Sequence, residues 1–241
     1  MLTMTRGEHA SLNALHDIEP SLCPQSLSNG LLADGTGSYL VTEFLDMDRT
    51  SISATRGKGP SLAAKLAKVH STPAPVPEGL ETRMFGFPVP TCCGSTEQAN
   101  DYQRSWAEFY AENRLRAILN ASEKSNGPDE ELRNTLEITA SKVVPRLLGD
   151  DHLGGSKGVV PVVVHGDLWS GNKGKGVIGS KGGSEDVVFD PSSCYAHAEY
   201  EHGIMRMFGG FGRMFWDEYW NTMDKTEPKE EYDDRLDLYE L

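Results

Sequence analysis

Apolar residues recur at helical spacing at Leu12, Leu15 and Ile18, which predicts a helix over 6–18 that Pro20 and Pro24 bring to a close. Two strand-like runs follow, at 26–32 and 38–45, joined by Ala-Asp-Gly-Thr-Gly, whose residues favour a tight turn. Polar residues fill 46–59 and predict a loop. Pro60 then opens a helix carrying Leu62, Leu66 and Val69, which stops near His70 because Pro73, Pro75 and Pro77 cannot continue it. Residues 71–98 have loop composition. A long helix is expected over 99–121, with Trp106, Phe109 and Tyr110 as an aromatic patch. Another is expected over 129–148, burying Leu132, Leu136, Val143 and Leu147, with Pro145 kinking or ending it.

Glycine-rich 149–158 leads into the apolar run Val162-Val163-Val164, and a second apolar run, Val187-Val188-Phe189, lies beyond a lysine- and glycine-rich stretch that reads as a hairpin loop. Helices over 197–207 and 211–223, divided by Gly209-Gly210, complete the pattern. There is no internal repeat. A helix and strands come first, then mostly helices with short strands, so the expected class is α+β with segregated parts and not an alternating parallel sheet.

Composition narrows this picture only a little. The chain has 241 residues, no apolar run of about 18 residues that would span a bilayer, and a polar start unlike a secretory leader. A cytoplasmic protein with no membrane partner is the expectation. A net charge of −13 argues against nucleic acid as a partner, since no bulk positive field is available to attract phosphate. Much of the acid lies at 217–240, which reads as a solvated helix and turn. Cys23, Cys92, Cys93 and Cys194 show no zinc-ligand spacing, and reduced thiols are expected.

Candidate chemistry concentrates in 164–172, Val-His-Gly-Asp-Leu-Trp-Ser-Gly-Asn. Asn172 follows Asp167 by five positions, the Asp-to-Asn spacing of a kinase catalytic loop. In that arrangement Asp167 takes the proton of the attacking hydroxyl, and Asn172 with Asp190 supplies oxygen ligands to Mg²⁺. Trp169 and His165 are the candidate substrate-side residues. Trp169 either stacks on the acceptor or packs, and His165 either contacts the site or is a satisfied histidine orienting the loop. Glu43, Phe44 and Leu45 end a strand where a kinase backbone meets adenine, and Glu8 sits on the helix that would supply a partner for a phosphate-binding lysine. The segments 171–176 and 179–184 are not a phosphate-binding loop of the G-x-x-x-x-G-K-[ST] type.

Taken together, these segments resemble the fructosamine/ketosamine 3-kinases, relatives of the aminoglycoside phosphotransferases in the protein-kinase-like fold. The matching residues are Arg-Gly-Glu-His-Ala-Ser-Leu (6–12), Val-Thr-Glu-Phe-Leu (41–45), Leu-Ala-Lys-Val-His (66–70), Phe-Gly-Phe (85–87) and Gly-Ser-Thr-Glu-Gln-Ala-Asn (94–100). Further matches are Trp106, Phe109, Arg114-Leu115-Arg116, the catalytic segment 165–172, Asp190-Pro191, Glu199-Tyr200-Glu201 and Met207-Phe208-Gly209-Gly210-Phe211.

The resemblance implies a two-lobe fold, with 1–45 as the remnant of a nucleotide-binding lobe ending in a hinge and 46–241 as a helical catalytic and substrate lobe. It implies ATP and Mg²⁺, and phosphorylation of the C3 hydroxyl of ribulosamine or fructosamine on glycated proteins or small ketosamines, leading to deglycation. Asp167 is then the base, Asn172 and Asp190 the metal ligands, and Glu43, Phe44, Leu45 and Glu8 the nucleotide-side residues. A small-molecule kinase of the aminoglycoside or choline type is the alternative, and a non-catalytic remnant is another. Family members carry a glycine-rich loop and a lysine ahead of the Glu8 helix, and a helical hairpin beyond the last helix. The first lysine here is Lys58 and the last residue Leu241, so truncation at both ends, weak ATP binding and slow turnover are expected.

Overall fold

A computed structural model describes residues 2–47, 59–179 and 183–241. Most of the loop expected at 46–59, and the tip of the hairpin loop before Asp190, lie outside the described residues. In chain order the elements are α1 (Leu2–Ile18), β1 (Ser26–Leu31), β2 (Ser38–Thr42), β3 (Leu45–Met47), α2 (Leu62–Ser71), β4 (Thr91–Cys93) and β5 (Thr96–Gln98). A helix α3 spans 106–126 and α4 spans 130–148. Then come β6 (Val162–Val164), β7 (Lys173–Ile178), β8 (Glu185–Val188), β9 (Cys194–Ala196), α5 (Tyr200–Phe208), α6 (Arg213–Tyr219) and α7 (Tyr232–Tyr239).

Among the described residues the strands form four small antiparallel sheets: β1-β2, β3-β7-β8, β4-β5 and β6-β9. This is the expected α+β class. Because β3 pairs with β7, with Leu45 opposite Ile178, the end of the first segment is built into a sheet of the second. The hairpin β7-β8 is the one read between Asn172 and Asp190, whereas β4-β5 falls in the stretch 71–98 read as loop. Its turn rests on Gly94 at positive φ, and three-residue strands are too short to show alternation.

Helix α3 starts later than expected because Ser105 caps it, its hydroxyl oxygen accepting the Glu108 N–H at 3.3 Å. Helix α4 runs through Pro145 because Thr139–Val143 widens to a π-helical turn just ahead of it. The wider turn absorbs the missing proline N–H and also shifts the buried face. Ala140, Val144, Leu147 and Leu148 are buried, while Leu132 and Val143, expected inside, are exposed.

The core lies under β6, whose three valines are all buried, as a short strand covered on both faces requires. Lys65 of α2 is fully enclosed, its ammonium donating to Ser21 O (2.8 Å), Glu185 Oε2 (2.7 Å) and Asp186 O (3.0 Å). The acidic tail departs from its expected solvation. Tyr232, Arg235, Leu236, Leu238 and Tyr239 of α7 are buried, with Tyr239 accepting the Trp106 indole N–H at 2.7 Å. Arg235 is wholly buried, donating through Nε (2.7 Å) and Nη2 (3.2 Å) to Glu199 and further to Thr226 O and Pro228 O (2.8 Å each). No helix among the described residues is long and apolar enough to cross a membrane.

Candidate active site

Strand β6 delivers the chain to Gly166, whose φ of +83° places it where an L side chain is strained. A Cβ there would also lie 2.0 Å from Ser192 O. The reversal aims Asp167 out of the core, and Leu168, fully buried, pins the loop behind it. Asn172 Nδ2 donates to Asp167 O at 2.8 Å and to Asp167 Oδ2 at 3.0 Å. The amide nitrogen is thereby committed to the aspartate, and Oδ1 remains as an acceptor or ligand.

Opposite this loop stands Asp190, the one non-glycine residue at positive φ (+55°) among the described residues. Aspartate tolerates the left-handed region better than most residues, at a cost of about 1 kcal/mol. Two backbone-to-backbone hydrogen bonds tie the Asp190 segment to the loop: Phe189 N–H to Asn172 O (3.1 Å) and Ser192 N–H to His165 O (2.8 Å).

Glu8, Cys92, Asp167, Trp169, Asn172 and Asp190 line one cavity of about 340 Å³. Glu8 is brought there by α1, whose Ser11 hydroxyl accepts the Ser193 N–H at 3.0 Å. Burial, and then the Asp190 charge, raise the Glu8 carboxyl, and no described cation pairs with it. Asp167 is also raised: burial leads, with Glu201 and Asp190 adding, against lowering hydrogen bonds from Asn172 and Cys93. The Cys93 thiol is pushed up to about 11 by burial and the Asp167 carboxylate, so it stays protonated. Nothing in the loop-like composition of 71–98 signals that hairpin β4-β5 carries Cys92 and Cys93 to the site.

Trp169 is partly exposed and rests on Phe208, ring centroids 5.6 Å apart. The Phe-Gly-Gly-Phe run supports the same loop twice more. Gly210 (φ +94°) comes so close to Ser170 that a Cβ would lie 2.5 Å from the serine Cβ, and Phe211 lies under the Lys173 ammonium at 5.0 Å.

Four expected members stand apart, His165 and the hinge residues Glu43, Phe44 and Leu45. His165, placed on the substrate side, is 1% exposed. Its Nε2 contacts Phe189 O at 3.0 Å and its Nδ1 accepts the Asp167 N–H at 3.2 Å. Burial lowers its pKa, so it is a neutral brace for the loop, and no ring nitrogen is left to meet a substrate. The hinge residues do not line the Asp167 cavity either. Glu43 borders a separate cavity of about 430 Å³ with His16, Ser21 and Ile178. Its N–H donates to Gln25 O at 2.9 Å, while Phe44 O accepts the Gly179 N–H at 2.9 Å.

A carboxylate base, an amide oxygen and a second carboxylate around one cavity can accept a hydroxyl proton and hold a hard cation. Comparison with known proteins points the same way. The family model described as Fructosamine kinase matches residues 1–241. The chain is 35% identical over 252 residues to Ketosamine-3-kinase of Mus musculus, covering 99% of this chain and 75% of that one. It is 32% identical over 238 residues to the chloroplastic Protein-ribulosamine 3-kinase of Arabidopsis thaliana, again covering 99% of this chain but 64% of the relative. A solved structure from Haemophilus somnus 129PT assigned to fructosamine-3-kinase superposes with a TM-score of 0.71 at 22% identity, over 99% of this chain and 70% of that one. At that identity the likeness shows the fold.

Proposed function

The chain belongs to the fructosamine kinase family, and from that membership we propose that it phosphorylates the C3 hydroxyl of ketosamines, ribulosamine or fructosamine, on glycated proteins or small amines, with ATP as phosphoryl donor. The observation that carries this reading is the single cavity shared by Asp167, Asn172 and Asp190. Asp167 accepts the C3 hydroxyl proton as that oxygen bonds to the γ-phosphorus and the bond to ADP breaks. The 3-phosphate is the product, and loss of the sugar from it completes deglycation. Trp169, backed by Phe208, walls the acceptor side.

Asn172 Oδ1 and Asp190 fit Mg²⁺: both are hard oxygen donors, and two protein ligands suffice for an ion that keeps waters and phosphate oxygens. No group of three or more His, Cys, Asp or Glu among the described residues forms an all-protein cage. When bound, the ion neutralises phosphate charge. Glu8 and the 43–45 backbone are the nucleotide-side residues of this reading, with 1–45 as a nucleotide-side lobe and 46–241 as the catalytic lobe. A cytoplasmic setting supplies the ATP.

The test is direct. The chain is incubated with ATP and a ribulosamine- or fructosamine-bearing lysine peptide, and sugar 3-phosphate is sought by mass spectrometry beside ADP release. Turnover of choline or an aminoglycoside, with none of either ketosamine, would overturn the assignment.

A pH dependence follows from the raised Asp167 carboxyl. Activity requires the ionised form, so kcat/KM should climb along an acid limb lying above the ordinary aspartate value of about 3.9. Asn172→Ala removes a hydrogen bond that lowers Asp167 and should move the limb further up. Stability has the opposite sign. The folded state binds this proton more tightly than the unfolded chain, so the contribution is present below the unfolded value and is lost as pH rises through the folded one. An acid limb at or below the ordinary aspartate value would remove Asp167 from the role of base.

A further inference from the structure

Hairpin β4-β5 touches three parts of the active site, yet its two three-residue strands are too short to hold themselves in place. Cys92 and Gly94 at its tip line the Asp167 cavity, and the Cys93 thiol meets the Asp167 carboxylate. Gln98 Oε1 accepts the hydroxyl of Ser192, two residues beyond Asp190, at 3.4 Å. On the third side α1 passes very close. A Cβ on Gly7, the neighbour of Glu8, would lie 2.8 Å from Pro90 O and 3.0 Å from Thr91 Cα.

The hairpin is held at its root. Arg114 is 2% exposed and lies in a π-helical stretch of α3, Tyr110–Arg116. Its Nη1 donates to Ala99 O (3.0 Å) and Asn113 O (2.9 Å), and its Nη2 donates to Asn100 Oδ1 (2.8 Å). Asn100 in turn donates through Nδ2 to Val89 O (3.0 Å) and Thr91 Oγ1 (2.9 Å). One guanidinium and one amide thereby tie the chain entering β4 to the chain leaving β5. All three acceptors of Arg114 are neutral oxygens, whereas a buried guanidinium is ordinarily paired with a carboxylate. The fold carries this charge at a desolvation cost, and the hairpin is what the charge organises. The π-helical widening turns Asn113 to the hairpin beside Arg114, its Nδ2 reaching the same Ala99 O at 3.4 Å, and such widened turns recur at functional sites.

We propose that Arg114 and Asn100 are positioning residues for the phosphotransfer: they lock the β4-β5 hairpin as a spacer that sets Asp167, the Asp190 segment and the Glu8 helix at fixed separations around the acceptor. The planar fork of arginine suits this place, because it presents donors to Ala99 and Asn100 at once, and the single ammonium of lysine has no such geometry. The spacer acts on rate because small displacements of a base from its hydroxyl cost large factors.

The inference rests on the kinase reading, and the experiment separates the two. Failure of the wild-type chain to phosphorylate any ketosamine sinks the function. The lock is tested without turnover, by N-ethylmaleimide labelling located by peptide mass spectrometry. Cys92 and Cys93 are half-buried on the hairpin, and Cys23, fully buried against α1, reports opening of the whole fold. Arg114→Lys should speed labelling of the Cys92-Cys93 pair about tenfold while Cys23 is unchanged. Unaltered labelling of the pair, or equal acceleration at Cys23, overturns the lock. In kinetics, Arg114→Lys should lower kcat by about 10- to 100-fold with KM for ATP within about twofold. In an Asp167→Asn background the same substitution should cost a smaller factor, since much of the hairpin's effect runs through Asp167. Unchanged kcat, or an equal fold-loss in both backgrounds, overturns positioning. Should Arg114→Lys not fold, Asn100→Ala, which removes the bonds to Val89 O and Thr91 Oγ1 but keeps the guanidinium, carries both measurements with the same expected and overturning results.

Discussion

Asp167→Asn is expected to lower kcat by about 10²- to 10⁴-fold, the usual contribution of a positioned general base, while any shift in melting temperature that ATP gives the wild type should be the same in the variant. The substitution preserves shape but replaces a proton acceptor with an amide that cannot take the hydroxyl proton. Oδ1 of the new asparagine can still accept from Asn172 Nδ2, now 3.0 Å from Asp167 Oδ2, so the loop should keep its course. The effect therefore falls on the chemical step and not on folding. A loss smaller than about tenfold, measured by ADP release at saturating substrates, would mean that proton transfer does not depend on this carboxylate.

The largest effect on stability is expected at Arg235. Its guanidinium is buried and bridges Glu199, Thr226 O and Pro228 O. Arg235→Leu leaves the Glu199 carboxylate enclosed with only the Thr226 N–H, at 2.7 Å, as a donor, along with a histidine that burial lowers to about 4. Breaking such a pair from one side costs about 3–5 kcal/mol, which for a chain of this size corresponds to a drop in melting temperature on the order of 10 °C. Adding Glu199→Leu should recover much of the loss, because the double variant buries no lone charge. Chemical denaturation of the three forms checks both statements. A single-variant loss below about 1 kcal/mol would show that Glu199 finds another partner.

What was legible in the sequence is local. The catalytic segment is readable because its chemistry sits within one turn, from His165 to Asn172, and the structure places Glu8 and Asp190 on the same cavity. What was not legible is contact between distant segments. Cys93 reaches Asp167 because a hairpin too short for a periodic signature folds over it. Gln98 and Ser192 meet across 94 positions, and neither residue type announces a partner. The π-helical turn in α4 shifts the buried face by inserting a residue into the helical period, which defeats a template of fixed spacing. The tail misled for another reason. Its acidic composition suggested solvation, although Tyr232, Leu236 and Tyr239 recur at helical spacing and all lie inside.

Lys65 carries a consequence for a chain assigned to the repair of sugar-damaged amines. Glycation begins when an unprotonated amine attacks an open-chain sugar aldehyde, so it needs a free lone pair and room for the sugar to approach. Lys65 offers no such room: its side-chain nitrogen donates to three oxygens and its side chain has no exposed surface. The lysine that joins α2 to β8 is thereby shielded from the lesion this family acts upon, and as long as the chain stays folded its own scaffold cannot become its substrate at that point.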